Sequence, residues 1–138
     1  MPMIKFKKNI QENIAVGSLV TILWETELFD NSDSFASNIF TTPALWAGKY
    51  QFCVNVTLNS IPADCTFVYI ILITSAGADY YAFYYTGGVA ITGESLTINI
   101  LAPMAAGETA YVAAYQTGGT QQTDISTYSS FSGFFVTA

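Results

Sequence analysis

The sequence predicts an all-β fold: a sandwich, jelly roll or barrel of about eight to ten short antiparallel strands. Three observations carry the prediction. Apolar and polar residues alternate along several short stretches, as they do on a strand buried on one face. Gly, Pro, Asn, Asp and Ser punctuate the chain between those stretches. No stretch of about ten residues or more shows the 3.6-residue period of a helix. The 138 residues make one domain, long enough to enclose a core.

Met1 to about Asn13 lacks a strong period and reads as a short extended N-terminal arm, residues 1–13, ahead of a single domain at 14–138. Within the arm, Ile4 and Phe6 would share one face, and Lys5 and Lys7 the other. Leu19 to Phe29 reads as a strand with Val20, Ile22, Trp24 and Leu28 on one face. Asp30 to Ser34 is a loop by its Asx and Ser content. Asn38 to Thr41 reads as a short strand stopped by Pro43. From Gly48 the alternation is clearest: Tyr50, Phe52, Val54, Val56 and Leu58 inward, Gln51, Asn55, Thr57 and Asn59 outward. Pro62 then turns the chain.

Phe67–Ile73 runs without a charge, a Gly or a Pro, and is rich in β-branched and aromatic residues. Both of its faces are apolar: Phe67, Tyr69, Ile71 and Ile73 on one, Val68, Ile70 and Leu72 on the other. Asp79 to Thr86 follows, with Tyr80, Tyr81, Phe83, Tyr84 and Tyr85, and ends at Gly87-Gly88. Ser95 to Leu101 points Leu96, Ile98 and Ile100 inward. Thr109 to Gln116 sets Tyr111, Ala113 and Tyr115 against Ala110, Val112 and Ala114. Ser126 to Val136 closes the chain with Phe131, Phe134, Phe135 and Val136. Strands 67–73, 109–116 and 131–136 are thus apolar on both faces, whereas 48–59 and 95–101 have one polar face. That division predicts one sheet packed on both sides and another facing water. The extra apolar face meets either copies of the same chain or a loop or helix of its own subunit.

Hydrophobic residues make up 51% of the chain and charged residues 10%, against roughly 25% charged in a typical soluble domain. A subunit that hides much of its surface tolerates so few charges. No apolar run approaches the roughly 20 residues of a spanning helix, and Met1 to Lys8 lacks the apolar core of a signal peptide. Lys5, Lys7 and Lys8 give the first eight residues a charge of +3, while one lysine against ten acids leaves the remainder at −9. An acidic body of that kind repels nucleic acid. Cys53 and Cys65 match no metal or redox spacing, and a disulfide between them stays open.

Several short pieces, in order, resemble the C1q/TNF-like jelly-roll family. Phe29-Asp30 closes an N-terminal strand. Phe40-Thr41-Thr42-Pro43, the spacer Ala44–Ala47 and Gly48-Lys49-Tyr50-Gln51-Phe52 resemble the family's F-x-x-P-x-x-G-x-Y-x-F signature, with a longer spacer than usual. Leu101 and Ala106-Gly107-Glu108 resemble the L-x-x-G-D/E turn. Ser130-Phe131-Ser132-Gly133-Phe134 resembles the closing S-x-F-S-G-F strand. The resemblance implies a ten-strand jelly roll assembled as a tight homotrimer, with C-terminal and central strands in the inner sheet at the three-fold axis. Its users include trimeric capsid cement (decoration) proteins of tailed bacteriophages and fibre knobs; a short chain with its own arm is most similar to the cement type.

Histidine is absent, which removes Ser-His-Asp and Cys-His catalysis and His-ligated metals. No P-loop, HExxH or nucleophile-elbow spacing occurs. Glu25 and Glu27 would share a strand face about 7 Å apart, a separation suited to an inverting glycosidase, but solvent-facing charges are the simpler reading. Asp30 to Ser34 lacks the spacing of a known calcium loop. The aromatic run at 80–85 and Trp46 are the candidates for a carbohydrate platform; core and subunit contact is the simpler reading for the run, and a buried plug is the other reading of Trp46.

The expectation is therefore a non-enzymatic virion structural protein with no cofactor or metal, a cement trimer on the capsid surface, made in the host cytoplasm without a signal peptide. Its trimer interface would draw on Phe67, Tyr69, Ile71, Ile73, Tyr111, Ala113, Tyr115, Phe131 and Gly133. Its arm, through Ile4, Lys5, Phe6, Lys7 and Lys8, would bind the major capsid protein. The alternative is a trimeric fibre or receptor-binding knob recognising a host glycan or protein. Neither nucleic acid nor membrane is expected as a partner.

Overall fold

Twelve strands and no helix make up the computed structural model, which describes residues 1–138. They are β1 (Met3–Lys7), β2 (Val20–Thr21), β3 (Thr26–Asp30), β4 (Phe35–Ala36), β5 (Ile39–Thr41), β6 (Gly48–Ile61), β7 (Phe67–Thr74), β8 (Asp79–Tyr85), β9 (Ile91–Met104), β10 (Thr109–Gln116), β11 (Asp124–Ile125) and β12 (Ser130–Thr137). Two antiparallel sheets face each other. The first runs β9–β6–β12–β1–β3, with β11 also on β6. The second runs β4–β5–β10–β7–β8, with β2 also on β10.

The core lies between them and follows the period-2 pattern. Tyr50, Phe52, Val54, Val56 and Leu58 of β6 are each at most 1% exposed. They meet Val68, Ile70 and Leu72 of β7, and Ala110, Val112 and Ala114 of β10, in one continuous cluster. Each large side chain buried there contributes about 1.5–3 kcal/mol relative to exposure. The β6 aromatics Tyr50 and Phe52 pack on Phe40 of β5, at ring-centroid distances of 5.3 and 5.6 Å.

Three sequence expectations are corrected. Leu19–Phe29 is not one strand. β2 belongs to the second sheet and β3 to the first, and the chain crosses between them through buried Ile22 and Trp24. Leu28, beyond the crossing on edge strand β3, is exposed as a result.

The N-terminal segment is not a free arm either. β1 is an interior strand, paired with β12 on one side and β3 on the other. Ile4 and Phe6 are core residues at 1% and 5% exposure, and the Phe6 ring lies 4.1 Å from that of Phe35. Lys8, just after the strand, is buried: its Nζ donates to the Leu23 carbonyl and to Glu25 Oε1. Of the five residues expected to bind a partner, Lys5 and Lys7 alone point outward.

Finally, β12 does not join β7 and β10. It sits in the opposite sheet, between β1 and β6. A sequence can show that a strand is apolar on two faces, but pairing decides which sheet it enters.

Candidate functional site

No catalytic constellation forms. Glu25 is held by Lys8 at 3.3 Å and also accepts the Asn9 N–H, so it is not a free acid beside Glu27. Burial, with Asp64 nearby, pushes the Cys65 thiol above its ordinary pKa, which keeps it from being a thiolate at neutral pH. Cys53 lies in the first sheet facing outward, and the two cysteines are unpaired. What the fold presents instead is a pair of outer sheet faces of different character.

On the second sheet the outer face is aromatic. With Val68, Ile70 and Leu72 in the core, alternation turns Phe67, Tyr69, Ile71 and Ile73 outward. Register sets Tyr69 between Phe83 of β8 and Tyr115 of β10, Ile71 between Tyr81 and Ala113, and Ile73 between Asp79 and Tyr111. Ring centroids are 4.9 Å apart for Tyr69–Phe83, 5.1 Å for Tyr69–Tyr115 and 5.6 Å for Phe67–Tyr85. Crowding among these rings raises the Tyr69 phenol above its ordinary pKa, through burial first and then through Tyr81 and Tyr115. Ile71 and Ala113 are covered by their larger neighbours, at 3% and 1% exposure. Tyr81, Phe83 and Tyr85 on edge strand β8 are open to solvent, at 46% exposure or more.

The first sheet's outer face is polar in its middle and apolar at one end. Across one row, register aligns Leu101, Gln51, Phe134 and Met3. Leu101, Phe134, Met3 and Val136 are all exposed. The next row holds Asn99, Cys53, Ser132 and Lys5. Lys5, Lys7 and Lys49 all take this outward phase, and none of them has an acid within ion-pair distance; the single ion pair is Lys8–Glu25.

Seven of the predicted interface residues therefore share one face: Phe67, Tyr69, Ile71, Ile73, Tyr111, Ala113 and Tyr115. Phe131 and Gly133 do not join them. Phe131 is fully buried, 5.7 Å from the Trp24 ring and stacked on Phe52 at 6.0 Å. A Cβ at Gly133 would lie 2.7 Å from the Phe52 ring. The assignment erred by one residue along β12, which flips every side chain to the other face; Phe134 and Val136 are the strand's outward apolar residues. The aromatic run at 80–85 divides likewise, with Tyr80 and Tyr84 packed against the core and Tyr81, Phe83 and Tyr85 outside. Trp46 sits edge-on to Phe135 at 5.1 Å and stays partly exposed.

No protein-family model and no curated protein sequence matches the chain. Solved structures do. The globular domain of zebrafish complement 1qA protein superposes with a TM-score of 0.72 at 12% identity, covering 99% of this chain and 98% of that one. Murine APRIL gives 0.68 at 8% identity, covering 98% of each chain. At such identities the likeness carries the fold and not the function. In fold, the chain is a C1q/TNF-like jelly roll.

Proposed function

We propose that this chain is a non-enzymatic homotrimeric subunit that stabilises a larger particle from outside: a cement protein on a virion capsid. The observation that carries the assembly step is the pair of exposed apolar patches on opposite outer faces. A patch that meets its own copy gives a two-fold dimer, whereas a closed ring needs two different patches that fit each other. Here one patch is aromatic and carries Asp79. The other is apolar at one end and bears Lys5, Lys7 and Lys49. In a trimer the aromatic patch of one subunit would meet the lysine-bearing sheet of the next, as the family resemblance favours. The scarcity of charge supports the same reading.

Contact with the major capsid protein falls to the loops, because β1 is locked between β12 and β3 and is not free to reach a shell. Purified particles should carry the chain in numbers comparable to their capsid subunits, and should lose heat resistance when stripped of it. A few copies at a single location would overturn the cement reading in favour of the receptor-binding knob. One observation favours that second reading, the polar cleft at residues 32–44.

A further inference from the structure

We propose that this open cleft, between the β3–β4 turn and the start of the β5–β6 loop, is a binding site for a neutral saccharide. Its volume is about 350 Å³, within the range of small-molecule sites. Ser32, Asp33, Ser34, Thr41, Thr42 and Pro43 line it, with two alanines.

The cleft is preformed. Asp30 accepts the Ser34 and Phe35 N–H groups at 3.0 and 2.9 Å, and the Thr41 N–H donates to the Ser34 carbonyl at 2.8 Å. Thr42 is fixed from the other side: its N–H and its hydroxyl both donate to the Glu108 carbonyl. Ser34 and Thr42 are thereby held buried, while Asp33 and Thr41 stand exposed and their side chains have no hydrogen-bond partner in the chain.

That leaves the Asp33 carboxylate as an acceptor, the Thr41 hydroxyl free to donate and accept, and the apolar surface of Pro43 and the alanines; the Ser32, Ser34 and Thr42 hydroxyls donate to Ser34, Asp30 and the Glu108 carbonyl, and can only accept from a ligand. Sugars offer vicinal hydroxyls on a ring with an apolar C–H face, which these groups match. No lysine lies here: Lys5, Lys7 and Lys49 occupy the first sheet's outer face and Lys8 is buried. Anionic ligands are disfavoured accordingly. A hard cation is poorly served too, since Asp30 is spent on backbone N–H groups and Asp33 is the remaining carboxylate, against the six to eight oxygens that calcium takes.

β4 and β8 are opposite edges of the second sheet, so the cleft lies away from the aromatic patch. The saccharide test reads residues 32–44 and the trimer test reads mass, so failure of one is distinguishable from failure of the other. The test is amide chemical-shift mapping with glucose, galactose, mannose, N-acetylglucosamine and glucuronate, each to about 50 mM, a range that captures millimolar affinities. At least one neutral sugar should shift residues 32–44 saturably, and glucuronate should bind at least tenfold more weakly. Asp33→Ala should weaken the neutral sugar at least tenfold while leaving the spectrum outside this region unchanged. The proposal is overturned if none of the four neutral sugars shifts residues 32–44, if Asp33→Ala binds as the parent does, or if glucuronate binds equally well.

Discussion

The two outer faces of the sandwich differ more than its two inner faces do. Inside, both sheets present the same alternation of apolar side chains. Outside, the second sheet is an almost uncharged field of rings, whereas the first is a belt of Asn, Ser, Thr and Lys with an apolar end. A monomer would gain nothing from the rings: Tyr81, Phe83 and Tyr85 leave nearly half or more of their surface in water, and large exposed apolar patches mark interaction sites. Inner faces hold the subunit together; the unequal outer faces are what it has for meeting others.

The difference can be probed from the inside outward. Removing residues 1–9 takes away an interior strand together with Ile4 and Phe6, and should unfold the protein, as read by loss of the cooperative thermal transition. A folded, trimeric deletion product would restore the free-arm reading. Phe131→Ala removes a ring packed against Trp24, Phe35 and Phe52, and should cost about 3–5 kcal/mol in denaturant melts. Gly133→Ala should cost about 1–3 kcal/mol by forcing a methyl group against Phe52. If either change instead left stability intact and weakened self-association, β12 would be an interface strand after all.

On the outer face the order of effects should reverse. Phe83→Ser should weaken association by roughly 10–100-fold, about 1.4–2.8 kcal/mol, and lower subunit stability by less than Phe131→Ala does. A variant that assembles like the parent would remove the aromatic patch from the contact.

The smallest effect concerns Lys8, whose burial pulls its pKa below the ordinary 10.5 against the opposing influence of Glu25. Between the lowered folded value and 10.5, the unfolded chain holds a proton that the folded chain has released. Stability from this group therefore rises with pH through that window. Wild type should gain on Lys8→Met in melting temperature as pH rises towards 10.5. A difference that stays flat would mean that Lys8 titrates normally.

Much of this was legible in the residues. The alternation along 48–59 gave β6 its inner face residue by residue, and the two-faced run at 67–73 gave the outward rings of β7. Partnership was not legible. Ile4 and Phe6 alternate with Lys5 and Lys7 as a strand should, but five residues cannot say whose sheet they join; the partner, β12, is more than a hundred residues away. Phe131 and Phe134 both looked available for contact, and only the register with Val54 and Gln51 shows which one points into the core. The crossing between β2 and β3 was hidden because Ile22 and Trp24 keep the strand period while the chain changes sheets. The cleft at 32–44 carried no signal beyond a loop rich in Ser and Asp, since its walls come from two turns brought together by β4–β5 pairing.

The claim that the two outer faces fit each other in a ring is tested most directly by sedimentation equilibrium of the isolated protein at micromolar concentration, alongside Phe83→Ser. Wild type should sediment as a closed trimer of about 45 kDa, three chains of 14.9 kDa, and the variant should dissociate at concentrations where wild type does not. A wild-type mass of one chain, or a dimer that Phe83→Ser dissociates, would contradict the account: the first leaves the patches unpaired, and the second makes the aromatic face meet its own copy.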